Sequence, residues 1–268
     1  MNLEDLEKID SHKMYQTYDK WPDIAKQGYE QEFAVPEFKS IDHIVFAGMG
    51  GSGTIGDIIS SILSKNDVHT SVVKGYSLPK TVDSNTLVVV TSVSGQTNET
   101  LTVLRDSLKL NANVITFSSG GKIEEVSLKN KIPFFKINYM HSPRASLLGF
   151  LYSTLNVLED LLPINKSDIL ESLNLLNGTQ IEINSSNLTD NNPALRFAKL
   201  IKNIPVIYYP AGLEAAAIRF KNSMQENAKT HIISENVIEA CHNGIVAWEK
   251  STNLQPILIQ GQDDHSRT

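Results

Sequence analysis

The first half of the chain alternates short apolar runs with segments in which apolar residues recur at helical spacing. Five runs are typical of strands: Ile44–Ala47, His69–Val73, Thr86–Val90, Asn113–Phe117 and Pro133–Ile137. We expect a helix after the first run, through about Leu63, and another after the third run, from Leu101. Strands that alternate with helices predict a parallel sheet covered on both faces, which is a doubly wound α/β fold.

Further helices are expected before and after this sheet. Residues 1–29 are polar with scattered aromatics, and we expect them to form N-terminal helices that pack on the sheet domain. The leucines of residues 146–161 have helical spacing and predict a helix that closes this domain. A helix over 167–177 would take Ser167 as its N-cap and Gly178 as the residue past its end. The polar segment 178–192 then predicts a linker or exposed loop.

A second strand–turn–helix unit follows. Its predicted elements are a helix over 193–201, a strand over 205–209, a helix over 213–228 and a strand over 256–259. The order of apolar strand, glycine turn and helix repeats the order at the start of the first unit. We therefore expect two domains, over residues 1–160 and 161–268.

The turn after the first strand is rich in glycine and admits several interpretations. The pattern G-x-G-x-x-G, at Gly48, Gly50 and Gly53, is that of a dinucleotide site. Such a site needs an acidic residue at the end of the next strand, and that strand runs into Lys74, a glycine and a tyrosine. A P-loop is excluded because no Gly-Lys-Ser/Thr follows. Two interpretations stay open: a phosphate turn held by Ser52 and the backbone, and a tight turn with no ligand.

A second turn, rich in hydroxyl groups, follows the third strand. It includes Ser92, Ser94 and Thr97 and leads directly into a helix. Because ligands of parallel sheets bind outside the carboxyl ends of the strands, this turn and the Ser52 turn are expected on the same edge. Two independent turns that converge on one edge favour a phosphate site more strongly than either turn would alone.

Composition narrows the choice of partners. The chain has 268 residues, of which 41% are hydrophobic and 20% charged, and its net charge is −6 with a pI near 5.7. This balance gives no general attraction to nucleic acid or to anionic membranes, so an anion site must be local. The first ten residues lack the pattern of a signal peptide, no apolar run is long enough to span a bilayer, and Cys241 is the single cysteine. We expect a cytoplasmic protein without disulfides.

The two turns together resemble those of the sugar isomerase (SIS) domain. Residues 40–268 are similar to one branch of that family, the bifunctional phosphoglucose/phosphomannose isomerases. Three further segments carry this resemblance: Ser142–Gly149, Gln225–Lys229 and Cys241–Asn243.

The resemblance implies two SIS domains and a homodimer with its sites at the subunit interface. It implies interconversion of fructose 6-phosphate with glucose 6-phosphate and mannose 6-phosphate, with no metal or organic cofactor. Glu226 would be the base, Arg144 would steady the enediolate, and His242 would help open the sugar ring, reaching in from the neighbouring subunit. The residues that would hold the phosphate are Gly50, Gly51, Ser52, Ser92, Ser94 and Thr97.

Residue chemistry agrees with these roles but does not require them. Aldose–ketose isomerisation needs a base, a donor where enediolate charge develops, and a group that shuttles the ring proton. By themselves, Glu226 could be a solvated carboxylate at a helix end, Arg144 a surface ion pair and His242 a merely polar residue. Cys241 has no evident base partner and is not expected to be a nucleophile. The run Asp263-Asp264-His265 predicts a solvated turn, since three adjacent residues rarely converge on one metal ion.

The end of the chain departs from the family pattern. Family members continue past residue 268 and carry a lysine that shares the ring-opening work with the histidine, and no residue here matches it. We therefore expect an incomplete second domain. The alternative function is a non-catalytic phosphosugar-binding protein, such as a sensor, and a nicotinamide dehydrogenase ranks third.

Overall fold

A computed structural model describes residues 2–262, 264–266 and 268. The chain forms two compact units, Met1–Pro193 and Ala194–Thr268. The helix that follows residue 165 therefore groups with the first unit, whereas the sequence analysis assigns it to the second domain. The domain bounds 1–160 and 161–268 stay a prediction.

The first unit alternates helices and strands after three N-terminal helices. Its helices are α1 (Leu3–Ile9), α2 (Tyr15–Asp19), α3 (Trp21–Glu30), α4 (Gly50–Leu63), α5 (Asn98–Ser107), α6 (Gly121–Lys129), α7 (Leu147–Val157) and α8 (Lys166–Ile183). A 3-10 turn, Glu159–Leu161, follows α7. Its strands are β1 (His43–Ala47), β2 (His69–Val73), β3 (Thr86–Ser92), β4 (Asn113–Ser118) and β5 (Phe134–Lys136). All five predicted strands are present, and α6 was not predicted.

The five strands form one parallel sheet in the order β2-β1-β3-β4-β5. The chain moves from β1 outward to β2 and then crosses back to β3, so the order reverses between β1 and β3. In open parallel sheets such a reversal leaves a crevice at the carboxyl ends of the strands, where ligands bind. The turns after β1 and β3 are neighbours at this crevice, as the sequence predicts.

Helices cover both faces of the sheet. Every residue of β1 and β3 is buried, and alternate residues of each strand belong to different hydrophobic clusters. Ile44 and Phe46 pack with α4 and α7, whereas Val45 and Ala47 pack with α5 and α6. The N-terminal helices pack on the domain as expected, since the indole N–H of Trp21 donates to the carbonyl of Ala145 at 2.8 Å.

Helix α8 differs from its prediction at both ends. Its N-cap is Asn165, whose side chain accepts from the amides of Ser167 and Asp168 at 2.9 and 3.3 Å. The Asp168 carboxylate accepts from the Asn165 amide at 2.8 Å and completes a capping box. Gly178 lies inside the helix rather than past its end, and a helix interior tolerates one glycine at about 1 kcal/mol relative to alanine.

The second unit has a smaller parallel sheet. Its elements are α9 (Pro193–Leu200, which begins at the unit boundary), β6 (Ile204–Tyr209), α10 (Glu214–Asn227), β7 (Ile233–Asn236), α11 (Val237–His242), the 3-10 segment Gly244–Glu249 and β8 (Leu254–Leu258). The strands are ordered β7-β6-β8, so β6 is central. Strand β7 was missed because its sequence, Ile-Ser-Glu-Asn, has no apolar pattern. Among the described helices of the whole chain, none is long and apolar enough to span a membrane.

Candidate phosphate-binding and active site

The turn after β1 presents the start of helix α4 to the carboxyl edge of the sheet. Helix α4 begins at Gly50, whose φ of 53° lies in the left-handed region that favours glycine. The carbonyl of Met49 accepts from the amides of Ser52 and Gly53 at 3.1 and 3.3 Å. The amides of Gly50 and Gly51 come before these hydrogen bonds in the chain. At the start of a helix such amides have no preceding helical carbonyl to which they can donate. Free amides and the positive end of the helix dipole together suit an anion.

The turn after β3 holds the predicted hydroxyl groups close together. The Oγ of Ser92 lies 2.9 Å from the Oγ1 of Thr97 and accepts from the amide of Gly95 at 3.2 Å. The Oγ of Ser94 accepts from the amide of Gln96 at 3.3 Å. Ser92 is buried, Thr97 is half-buried and Ser94 is exposed, so the hydroxyls extend from the strand end to the surface. Thr97 is the N-cap of α5 and its hydroxyl pairs with Ser92 instead of capping the helix.

A third turn, after β4, braces the hydroxyl turn. Gly95 has a φ of 65°, and a Cβ there would lie 1.8 Å from the carbonyl oxygen of Gly120. The amide of Ile123 donates to the carbonyl of Gly95 at 3.1 Å, and the amide of Ser119 donates to that of Val93 at 3.1 Å. The hydroxyl turn thus requires glycine at residue 95 and is clamped by the next turn. This third turn was not predicted to have a role.

Charged and phenolic groups from the segment after β2 line the same edge. The ammonium of Lys74 lies 2.6 Å from the carboxylate of Asp57 on α4. The hydroxyl of Tyr76 donates to the carboxylate of Glu99, in the first turn of α5, at 3.2 Å. That hydrogen bond, together with the negative charge of Glu99, raises the pKa of the Tyr76 phenol. No role in the site was predicted for Lys74, which counted only against a dinucleotide site.

Arg144 lies in the segment that follows β5, between that strand and α7. It is half-buried, within a turn in which the amide of Ala145 donates to the carbonyl of Ser142 at 3.1 Å. The hydroxyl of Ser146 closes the turn, since it accepts from the amide of Met140 at 2.9 Å. Because the strands are parallel, this segment leaves the same edge of the sheet as the phosphate turns, but two strands away from β3.

Glu226 and His242 belong to the second unit, and both are exposed at helix ends. Glu226 is in the last turn of α10, where the ammonium of Lys229 bonds its backbone carbonyl at 2.7 Å. His242 is the last residue of α11, which starts directly after the carboxyl end of β7. In a parallel strand–helix–strand unit the helix returns to the amino edge of the sheet. The topology therefore places Glu226 near the amino edge and His242 near the carboxyl edge of the same three-stranded sheet.

The remaining candidates have simpler surroundings. Cys241 is an exposed free thiol on α11. The solvated turn predicted at 263–265 includes Asp263, which lies outside the described residues. Within the described part of the chain, no group of three or more His, Cys, Asp and Glu residues is placed to bind a metal ion.

Comparison with known proteins places these turns in a family. Residues 37–132, which contain all three turns, match the SIS domain, and residues 190–268 match the bacterial phospho-glucose isomerase C-terminal SIS domain. The bifunctional phosphoglucose/phosphomannose isomerase of Aquifex aeolicus is 30% identical over 256 residues, which cover 92% of this chain and 73% of that protein. Its counterpart in Caldicellulosiruptor bescii is 29% identical over 270 residues, covering 95% and 78%.

A solved structure shows the same fold. Tagatose-6-phosphate ketose/aldose isomerase from Escherichia coli superposes with a TM-score of 0.69, covering 93% of this chain and 73% of that chain at 14% identity. Together with the parallel sheets and the three turns, these matches define a protein of the sugar isomerase (SIS) class. Within that class, the chain belongs to the bifunctional phosphoglucose/phosphomannose isomerase family. It spans about three quarters of the length of the Aquifex and Caldicellulosiruptor relatives.

Proposed function

We propose that the protein is an aldose–ketose isomerase that interconverts fructose 6-phosphate with glucose 6-phosphate and mannose 6-phosphate through a cis-enediol. The observation that carries this proposal is the convergence of the α4 start and the Ser92–Thr97 hydroxyl pair at one crevice, in a chain of this family. Such a cradle of amides and hydroxyls suits the phosphate of a sugar phosphate. Its members are Gly50, Gly51, Ser52, Ser92, Ser94 and Thr97.

The proposed chemistry needs only proton transfers. The carboxylate of Glu226 takes a proton from C1 of open-chain fructose 6-phosphate, and an enediolate forms across C1 and C2. Arg144 stabilises the negative charge that develops on its oxygens. O2 gains a proton and O1 loses one, so that the carbonyl group moves from C2 to C1. Return of the carbon-bound proton to C2 from one face yields glucose 6-phosphate, and from the other face mannose 6-phosphate. His242 transfers the proton that opens and closes the sugar ring.

A homodimer with the site at the subunit interface completes this proposal. It is supported by the positions of Glu226 and His242, which the topology assigns to opposite edges of one small sheet. Two groups at opposite edges of one sheet do not act on the same sugar unless one of them comes from another chain. His242 of a second subunit then serves the site of the first. We also propose a cytoplasmic location and a role in glycolysis and gluconeogenesis, which fits the identity of the substrates.

The test is a coupled assay of fructose 6-phosphate consumption by the purified chain, with detection of both aldose phosphates and a binding titration alongside. We expect both products to form. Binding without turnover would favour the alternative, a phosphosugar-binding protein without catalysis. Absence of both binding and turnover would contradict the proposal. Sedimentation analysis of the same sample checks for the dimer. An active species that is purely monomeric would contradict the proposed homodimer.

A further inference from the structure

Lys74 is a cation at the carboxyl edge of the first sheet that the proposed phosphate site does not yet use. It directly follows β2, and the carbonyl of Val73 accepts from the amide of Gly48 at 3.2 Å. The backbone of Lys74 therefore lies beside the glycine turn. Its stem lies against the first turn of α4, because a Cβ on Gly53 would lie 3.1 Å from the Cε of Lys74. The absence of a side chain at Gly53 leaves the room that this stem occupies.

The position of the ammonium group follows from these contacts. It pairs with the carboxylate of Asp57, one helical turn beyond Gly53, at 2.6 Å. Covalent geometry then places the Nζ within about 6 Å of the Cα of Gly53, the residue after Ser52. The Asp57 side chain is 15% exposed and that of Lys74 is 37% exposed, so the pair is partly shielded from water. Because a Debye length is about 10 Å, the ammonium acts on charge near Gly53, in the first turn of α4, without full screening.

The surroundings of the cradle favour such a charge. A phosphate monoester carries roughly −1.5 to −2 charges at neutral pH. The amides and hydroxyls of the two turns carry no formal charge, and the chain as a whole has a net charge of −6. Glu99 adds a carboxylate two residues past Thr97. The segment that brings Lys74 to α4 also supplies Tyr76, which donates to Glu99 at 3.2 Å.

We propose that Lys74 supplies the positive charge of the phosphate site and that Asp57 limits it by partial neutralisation. The inference rests on the proposed function, since it concerns the phosphate group of the same sugar phosphate. Lys74 is a binding residue in this scheme, and it selects phosphorylated over neutral sugars. Asp57 keeps the attraction moderate, which allows the phosphorylated product to leave.

The experiment is a calorimetric titration of the full chain with fructose 6-phosphate, and separately with inorganic phosphate, at low ionic strength. Lys74→Met should bind both ligands about tenfold more weakly, and Lys74→Arg should stay within about twofold of the original chain. The loss should shrink as salt is added, because salt screens the charge.

Asp57→Asn should bind about threefold more tightly. Lys65→Met removes an equal charge just past the other end of α4 and should change nothing. Thermal unfolding of each variant checks that it is folded.

Each outcome bears on the inference. Equal affinities of Lys74→Met and Lys65→Met, with binding by the original chain intact, would overturn it and leave the proposed function standing. A loss that persists unchanged at high salt would assign Lys74 a packing role and would also overturn it. Weaker binding by Asp57→Asn would mean that Lys74 acts only through its ion pair, which contradicts a direct role. Absence of binding by the original chain would overturn both this inference and the proposed function.

Discussion

The two units present their candidate residues in opposite ways. In the first unit Ser92 is 2% exposed at the end of a buried strand, and hydrogen bonds within the turn fix its hydroxyl. In the second unit Glu226 and His242 lie at exposed helix ends. A buried cradle orders its donors before a ligand arrives, whereas an exposed side chain at a helix end is less constrained by packing. We therefore expect phosphate binding to be built within one unit, and we propose that the acid–base chemistry depends on groups that a second subunit helps to assemble.

The hydrophobic core of the first unit is also larger than that of the second among the described residues. Two clusters cover the faces of the first sheet and include large buried residues such as Phe117 and Phe150. Among the described residues of the second unit, the core cluster contains the buried residues Ile207, Ala217 and Ile232. Burial of apolar area is the main favourable term in folding, so we expect the first unit to be the more stable scaffold. This contrast predicts that changes in the first unit alter stability and binding, and that changes in the second alter turnover.

The largest expected effect is on turnover alone. Glu226→Gln removes the proposed base and keeps the shape of the side chain, so kcat should fall by roughly 10²–10⁴. The dissociation constant for fructose 6-phosphate should stay within about twofold, because the cradle lies in the other unit. Steady-state kinetics with a parallel titration measures both quantities. Glu239→Gln, on the neighbouring helix, is a matched control. Unchanged kcat in Glu226→Gln would remove this residue from its role.

A second change tests the rigidity of the first unit. Gly95→Ala places a Cβ 1.8 Å from the carbonyl of Gly120 and forces a φ of 65° on alanine. The turn after β4 must then move away, and we expect a loss of about 3 kcal/mol or more in the free energy of unfolding. Urea denaturation measures this loss. Stability equal to that of the original chain would show that the two turns are not clamped together.

A third change separates binding from stability. Ser92→Ala removes a hydroxyl from the cradle, and a hydrogen bond to a charged group contributes about 1.5–3 kcal/mol. The dissociation constant for fructose 6-phosphate should therefore rise roughly 10- to 100-fold. Ser64→Ala, at the far end of α4, is the control and should bind normally. Equal affinities of the two variants would contradict a phosphate role for Ser92.

A fourth change acts in the opposite direction on stability. A Cβ at Gly178, inside α8, meets no atom within 4 Å. Gly178→Ala should raise the free energy of unfolding by about 0.5–1 kcal/mol, because alanine has the higher helix propensity. Urea denaturation of Gly178→Ala and Gly95→Ala, run together, measures both changes in the free energy of unfolding. A destabilised Gly178→Ala variant would argue against a continuous helix through this residue.

The pH dependence of stability provides a fifth test, at the amino edge of the first sheet. His43 is 5% exposed, with His69, Asp42 and Asp83 as its charged neighbours. Burial, aided by repulsion from His69, lowers the pKa of His43 below its usual value of 6.5. The unfolded chain then binds a proton more readily than the folded chain once the pH falls below 6.5. Stability from this residue is therefore complete above pH 6.5 and is lost as the pH falls through the lowered pKa.

The check is a series of unfolding midpoints between pH 8 and pH 5 for the original chain and for His43→Gln. The midpoint of the original chain should decline below pH 6.5 more steeply than that of the variant. Parallel curves for the two proteins would show that His43 is not the source of the decline.

Much of the fold was predictable because its signals are local. Buried parallel strands are continuous apolar runs, and β1, β3 and β4 are recognisable from a few consecutive residues. Strand β7 lacks such a run and was missed, and the end of α8 was placed too early because Gly178 is a common stop signal. In both cases pairing and packing with other elements outweighed the local preference.

The sequence by itself determined the parallel α/β architecture and the edge at which the glycine and hydroxyl turns meet, because the carboxyl ends of parallel strands always share one edge. Only the tertiary structure decided which groups touch there. The Ser92–Thr97 pair, the clamp between Gly95 and Gly120, and the ion pair of Lys74 with Asp57 depend on side-chain directions and on distances between separate elements. Residue spacing along the chain does not encode those distances, since they arise only when the helices and strands pack together.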